Sequence, residues 1–515
     1  MRSLAAVAIA SFVAALVVFA LARPGSEPKP PLPKVQALPS ALRDAGVRSA
    51  LRGTGWDSSR VIPLDGDNWR VTFLAGPRYV LDAAVGRDGR VSALETHPKN
   101  RHPFGSDILW NPALLVLLVA LFVAALAVKP LANIRNLDAL VVGAGFTLSA
   151  VFLDERLVGA YVYMGAACLA YAAIRCFGVA LRDPRAQTST SPLLPDHRLV
   201  RVATAAAFVA ALVVVISSNG IADVAYAGLA GGTLLNHGLS PYSHLTDVVH
   251  GDTYPLLTYV LYMPFAALSP VRDGFDSLDG SLWLNAIALA AAAVLLARNG
   301  TSHVLAWLAF PPVLLSASRG GNDVPTAVFV VGALATASRT QLSVALLALA
   351  GWVKIGPAAA LVPWLARLRG APLARALALV AAPLLAGAAA IALIGGFHEI
   401  DRAVTALRFQ LDRGSWFSLW RQVGSPALQV ALEALTVTAA VAAAVVARRD
   451  PDLSLGRLAA LGGALVAVLQ LSASYWSFAY LPWLLPFILV ALLPPVAAED
   501  PRALPRSRSL EPRVP

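Results

Sequence analysis

Long apolar runs broken by short polar stretches set the pattern of this chain. They lie near 4–22, 109–128, 137–153, 157–180, 199–217, 281–297, 303–317, 324–338, 373–395, 427–447, 456–471 and 477–493. Most approach the roughly 20 residues that carry a helix across a bilayer. The runs are continuous rather than alternating, which excludes a membrane β-barrel. The pattern predicts an all-α polytopic membrane protein of about 13 spans.

Between the first two runs the pattern changes. Residues 1–24 read as a signal anchor or first span, with Arg2 ahead of the apolar run and a cleavage-like Ala20-Leu21-Ala22 near its end. Residues 25–38 are Pro-rich, which predicts an extended spacer. Residues 40–52 carry helical periodicity. Asn68–Phe73, Arg78–Ala84 and Arg90–Leu94 then alternate like strands, with turn signals at Asp65-Gly66-Asp67 and Arg87-Asp88-Gly89. One helix and about three strands make residues 25–105 a small extracytoplasmic α+β domain, similar to PepSY-type periplasmic modules. Three spans follow over 106–181. The polar stretch 182–198 reads as a cytoplasmic linker and a domain boundary. Residues 199–493 form the second membrane domain, and 494–515 a basic, Pro-rich, disordered cytoplasmic tail.

Composition sharpens this picture. The chain of 515 residues is 57% hydrophobic and 14% charged; an ordinary soluble domain has about 45–50% and about 25%. A soluble enzyme and a disordered chain are both excluded. The net charge of +11 would point to nucleic acid in a soluble protein. Here Lys and Arg mark cytoplasmic loops, and no nucleic-acid partner is expected. The two cysteines, Cys168 and Cys176, share one apolar segment and fit neither a disulfide framework nor a zinc site.

Charge placement also orients the second half. Residues 254–268 are short for a span and broken by Pro264, so they read as an interfacial helix. The run 341–365 is interrupted at Lys354 and Gly356-Pro357, which predicts two short helices. This arrangement puts Arg298, Arg339, Arg367, Arg369, Arg375, Arg448 and Arg449 inside. It leaves Asp223, Arg319, Asn322, Asp323, Lys354 and the 396–426 loop outside. The rival arrangement spans at 254–268 and fits the charge rule less well.

Ionisable groups at membrane ends are functional candidates. Asp223 opens a helix-like stretch after the fourth internal span. It reads either as a helix cap or as a general base at a cavity mouth. Lys354 sits at a Gly-Pro break in an apolar run, where a cation suits a phosphate at the bilayer surface; Arg319 is placed to join it. Asn322 and Asp323 read as caps of the helix starting at Val324 or as site residues. His237, His244 and His250 with Asp247 and Asp252 match no metal-ligand spacing. Trp416, Trp420, Tyr475, Trp476, Tyr480 and Trp483 read as an interfacial belt, some of them able to stack on sugar. No nucleotide-binding fingerprint stands in a supporting context.

Five segments carry a family resemblance over roughly 199–493. They are Ala222-Asp223-Val224-Ala225-Tyr226, His237-Gly238-Leu239-Ser240-Pro241-Tyr242, Tyr254-Pro255-Leu256-Leu257-Thr258-Tyr259, Gly320-Gly321-Asn322-Asp323, and Gly351-Trp352-Val353-Lys354-Ile355-Gly356-Pro357. In this order they resemble the GT-C integral membrane glycosyltransferases. The closest likeness is to glycosyltransferase family 87, the polyprenyl-phosphate-mannose-dependent mannosyltransferases. Leu256 and Gly321 depart from the family's usual proline and glutamine. The resemblance implies a polyprenyl-phosphate sugar donor, a lipid or glycan acceptor and an extracytoplasmic active site in the cell membrane. It implies Asp223 as catalytic base, with Lys354 and Arg319 on the donor phosphate and no metal or cofactor. Tyr226, Tyr242, His244, Tyr254, Asn322, Asp323, Trp416, Arg421, Tyr475 and Trp476 would then bind substrate. Readings from other classes are a secondary transporter and a non-catalytic membrane scaffold or sensor.

Overall fold

The computed structural model describes residues 32–64, 68–75, 78–96, 106–155, 157–181, 191–194, 198–218, 222–245, 251–270, 278–412, 415 and 417–494. The expected first span, most of the 182–198 linker, the tail beyond Pro494 and the Asp65-Gly66-Asp67 turn lie outside these residues.

The small domain begins with α1 (Lys34–Arg43) and α2 (Ala45–Leu51). Asp44 separates them. Its extended backbone ends the first helix, and its carboxylate caps the second by accepting the Val47 N–H at 3.0 Å. Four antiparallel strands follow in sequential order: β1 (Ser58–Leu64), β2 (Asn68–Ala75), β3 (Arg78–Val85) and β4 (Val91–Thr96). Ala37, Ala41, Val47 and Leu51 of the helices pack on Val71, Phe73, Leu81 and Ala83 of the sheet. Trp56 closes this core edge-on against Phe73. Sequence periodicity finds three of the strands. It misses β1, which among the described residues pairs only with β2 and carries Pro63, a residue that sheets tolerate at edges.

The remainder is helical apart from a short antiparallel pairing of Val128–Lys129 with Ser191–Pro192. It comprises α3 (Pro112–Leu126), α4 (Ile134–Asp154), α5 (Val158–Leu181), α6 (Arg198–Ile216), α7 (Asp223–Asn236), α8 (Pro241–His244), α9 (Leu256–Leu268), α10 (Asp279–Leu296), α11 (Thr301–Ala309), α12 (Pro311–Ala317) and α13 (Asp323–Ala335). There follow α14 (Thr340–Val353), α15 (Leu361–Ala366), α16 (Gly370–Gly395), α17 (Phe397–Asp412), α18 (Leu419–Val423), α19 (Pro426–Arg449), α20 (Leu455–Ser472) and α21 (Leu481–Ala491). Among the described residues, six are long and apolar enough to cross a membrane: α4, α5, α10, α16, α19 and α20. Shorter apolar helices accompany them, which fits a multi-pass membrane protein. α9 has 13 residues, about 20 Å of helix against a hydrocarbon core of about 30 Å.

Breaks in the long runs follow the local residues. The run 341–365 divides, as expected, at Lys354–Gly356, where Pro357 opens a short 3-10 turn. The run 303–317, expected as one span, is two helices. Pro311-Pro312 can start a helix but cannot continue one, so α11 ends at Ala309 and Phe310 turns extended.

Among the six long helices α20 is the most buried and α16 the most exposed. α5 packs along α20. Residues of α3, α4 and α5 share one buried core with α10, α13, α14, α20 and α21. Residues before and after the 182–198 segment thus pack into one core. Asp138 of α4 is buried and takes a bidentate bond from Arg175 of α5, Nε and Nη2 each at 2.7 Å, while the Tyr171 hydroxyl donates to it at 2.7 Å. A hydrogen bond to a charged group contributes about 1.5–3 kcal/mol. Tyr171→Phe should therefore lower stability by about that amount, read from unfolding by titration with denaturing detergent. An unchanged midpoint would show that Arg175 alone satisfies the carboxylate.

Candidate functional site

The site is organised by the loop Arg319-Gly320-Gly321-Asn322-Asp323 between α12 and α13. Its backbone is held on three sides. The Arg319 carbonyl accepts the Ala222 N–H at 3.0 Å, at the very start of α7. The Gly320 carbonyl accepts the Tyr262 hydroxyl at 2.7 Å, and the Gly321 carbonyl accepts Asn285 Nδ2 at 2.9 Å. Gly320 has φ +71°, and a Cβ there would run into the Ser281 hydroxyl and Ala225. Glycine is thus required by conformation and by space together.

Asp223 is the first residue of α7 and is exposed. The cap position belongs to Ala222, which makes no side-chain bond. The Asp223 carboxylate accepts the N–H of Val224 at 2.8 Å. It stands in the first turn, where the helix dipole favours an anion, but it is not the side-chain cap that the sequence allowed. Tyr254 lies near it. Burial and then the Asp223 charge, with Tyr480, Tyr259 and Tyr475, hold the Tyr254 phenol well above its ordinary range. The phenol therefore stays protonated at neutral pH.

Lys354 terminates α14. Its Nζ lies 2.6 Å from Asp323 Oδ1, 3.2 Å from Asn322 Oδ1 and 4.3 Å from the centre of the Tyr480 ring. Asp323 Oδ1 also accepts Trp483 Nε1 at 3.0 Å, and Asn322 Nδ2 donates to Thr258 Oγ1 at 3.3 Å. Asn322 and Asp323 are buried at 0% and 3% exposure. Asn322 occupies the cap position of α13 yet makes no side-chain cap. Both side chains turn to Lys354 instead, which corrects the capping alternative. An ammonium in this apolar setting needs a compensating charge, and Asp323 supplies it. Arg319 lies 5.9 Å from the Trp110 ring and 5.5 Å from the Phe478 ring. Its guanidinium is held partly by aromatic faces.

Other residues singled out in the sequence fall into three groups. Tyr254, Tyr475 and Tyr480 gather around the Asp223–Lys354 region, with Tyr475 and Tyr480 6.0 Å apart. Tyr226 is buried one turn into α7, and Arg421 is half-buried in α18, where burial lowers its pKa. Trp476 is committed to packing. It is 4% exposed, stacks on Tyr161 at 4.8 Å and gives its Nε1–H to Gln470; a Cβ at Gly165 would overlap its ring. This placement favours a structural role for Trp476 over sugar stacking. Trp416 lies outside the described residues.

Tyr242 and His244 sit at the other end of α7. The Tyr242 hydroxyl donates to the Tyr254 carbonyl at 3.0 Å. His244 Nδ1 pairs with the Ser240 carbonyl at 2.9 Å and the Ser243 hydroxyl at 2.8 Å. Ser240, Ser243 and His244 line a cavity of about 260 Å³ with His398, Glu399 and Arg402 of α17. Glu399 is 1% exposed and pairs with Arg402 at 2.8 Å. It was missed from the sequence. The available signal is its helical face, since Glu399, Ala403 and Ala406 follow the i, i+4, i+7 rule and both alanines are buried.

Burial pushes the Glu399 carboxyl up. The Ser240 and Ser243 hydroxyls, with the Arg402 and His398 charges, outweigh this and leave it below its ordinary 4.5. A carboxyl whose pKa is depressed on folding adds stability above its unfolded value and loses it as pH falls through the folded one. Protection of the α17 amides, with exchange corrected for its intrinsic pH dependence, should be high at neutral pH and should fall as pH drops below 4.5. A profile flat down to pH ~3 would mean that Glu399 does not hold α17 to α8.

Among the described residues no group of three or more His, Cys, Asp or Glu is placed to hold a metal. Comparison with protein-family models, with curated proteins and with solved structures finds no match to this chain.

Proposed function

We propose that this chain is a membrane glycosyltransferase. It moves a hexose, mannose by the resemblance above, from a polyprenyl-phosphate sugar to an envelope glycolipid, glycan or protein acceptor. The reading takes about 13 spans and a site on the extracytoplasmic face. The observation that carries it is the 319–323 loop. One end of that loop fixes the start of the Asp223 helix through Ala222, and the other end holds Lys354 through Asn322 and Asp323. A candidate base and two candidate phosphate-binding cations are thereby set on one rigid frame. Positioning of this kind is what displacement at a sugar carbon needs.

In the reaction, Asp223 accepts the proton of the acceptor hydroxyl. The hydroxyl oxygen bonds to C1 of the sugar as the bond from C1 to the phosphate oxygen breaks on the opposite face, inverting the configuration. The departing phosphate gains negative charge, which Arg319 and Lys354 stabilise. Lys354 arrives already paired with Asp323, so its contribution is that of a dipolar pair anchored by Asn322. Tyr254, kept protonated by burial and the Asp223 charge, would bind a sugar hydroxyl.

The test is transfer from a polyprenyl-phosphate sugar by the purified full chain in nanodiscs. Formation of glycosylated acceptor supports the reading. No transfer with any such sugar across a range of acceptors removes it. A secondary transporter would also place a buried ion pair at a helix break, and in liposomes it would move solute without forming product.

Sidedness has its own check. His237 and Arg298 are both exposed. His237→Cys should react with an impermeant maleimide on intact cells, and Arg298→Cys only after permeabilisation. The native cysteines, both buried, give little background. The reverse pattern would overturn the orientation.

A further inference from the structure

At the far end of the bundle, α15, α16 and α19 leave a cavity of about 600 Å³ between them. Leu365, Leu373, Leu377 and Val445 form its walls, and Arg448 and Arg449 stand at its rim. It is remote from Lys354. Arg367, just after α15, donates to Thr340 Oγ1 at the start of α14, and Lys354 follows the other end of that helix. The 14 residues of α14 separate the two places by about 20 Å.

The rim is cationic without internal compensation. Arg448 Nη1 donates to the Leu368 carbonyl at 2.7 Å, and Arg369 Nη2 reaches the Arg448 carbonyl at 3.4 Å. These are bonds to neutral acceptors, which orient the guanidinium groups and leave their charge unmatched. Of the carboxylates that follow in the chain, Asp450 is taken by Arg457 at 2.7 Å, and Asp452 is exposed and forms no ion pair with the rim arginines among the described residues. Among the described residues Arg369, Arg448 and Arg449 form no ion pair.

An apolar wall beside the unmatched Arg448 and Arg449 guanidinium groups selects an anionic amphiphile. Arginine forks match the two oxygens of a phosphate, and the leucine wall suits an acyl chain. A water-soluble anion would gain nothing from the wall, and a neutral lipid nothing from the rim. The chain's own C-terminal residues carry Glu499, Asp500 and Glu511 against Arg502, Arg506, Arg508 and Arg513, so as a segment they offer the rim no net negative charge. α16, the least buried of the six long helices, leaves the cavity open to lipid from the side. We propose that this cavity is a binding site for one anionic phospholipid, with its phosphate on Arg448 and Arg449 and an acyl chain between α16 and α19. The proposal does not depend on glycosyl transfer.

The test is native mass spectrometry of the full chain in detergent, titrated with phosphatidylglycerol or phosphatidylcholine of the same acyl composition. The wild type should retain phosphatidylglycerol at least about tenfold more tightly than phosphatidylcholine. Arg448→Gln with Arg449→Gln should abolish that preference. Ala444→Trp, which keeps both arginines and fills the cavity, should weaken phosphatidylglycerol retention as well. Each variant is first shown to be monodisperse in phosphatidylcholine. Should the double variant fail to fold, Ala444→Trp and the wild-type preference still decide. Equal retention of the two lipids by the wild type overturns the proposal, as does an unchanged preference in a well-folded variant of either kind.

Discussion

Asp223→Asn should reduce sugar transfer by about 10²–10⁴ while the protein folds and binds donor as before. The size of the loss is that of a general base removed from proton transfer. Asparagine keeps the shape of the side chain and an oxygen able to accept the Val224 N–H, so the start of α7 should persist. The structure makes this a cleaner experiment than the sequence alone would. If Asp223 were the cap, Asn would replace it at little cost, and a silent substitution would be the natural result. With Ala222 in the cap position, loss of activity can be assigned to the carboxylate. Initial rates with a polyprenyl-phosphate sugar, measured at matched protein amounts, give the number. Full activity in well-folded Asp223→Asn removes Asp223 from the mechanism.

The second large effect concerns the pair formed by Lys354 and Asp323. Lys354→Ala should destabilise the protein by about 3–5 kcal/mol, because it leaves a buried carboxylate without its cation. Transfer should fall as well, through loss of positive charge near the departing phosphate. Lys354→Arg should restore part of both, since charge is kept although geometry changes. The informative variant is the double one. Lys354→Met with Asp323→Asn removes both charges and should recover most of the lost stability, because a neutral buried pair carries no unmatched ion. It should not recover transfer. Detergent unfolding and transfer rates on the same preparations separate these outcomes. If the double variant regains activity, Lys354 serves only to neutralise Asp323.

How much of this could be read beforehand depended on the range of the interaction. The helix starting at Asp223 and the break at Lys354 were legible, because Gly, Pro and an isolated lysine in an apolar run act locally. The strand β1 was not, since Pro63 argues against a strand unless its edge position is known. The division at Phe310 was signalled by Pro311-Pro312 but hidden by the hydropathy on either side. The partnership of Lys354 with Asp323, 31 positions apart, leaves no trace in either segment's composition. The same holds for Asp138 with Arg175, 37 positions apart. Trp476 shows the converse difficulty. In composition it is an interfacial tryptophan, and only the missing side chain of Gly165 on another helix makes room for it in the core.

The frame of the site is joined by main-chain carbonyls at 319, 320 and 321. A carbonyl acceptor is the same whichever side chain hangs beside it. Of the two glycines Gly320 alone is restricted by its own conformation; Gly321 can change identity while the bond to Asn285 remains. Such a scaffold tolerates drift, so divergent sequences can keep one geometry while their short motifs become hard to recognise. Homologues should therefore be sought by the spacing of Asp223, Gly320 and Lys354 along the helices, and by what each helix end faces, rather than by the letters between them.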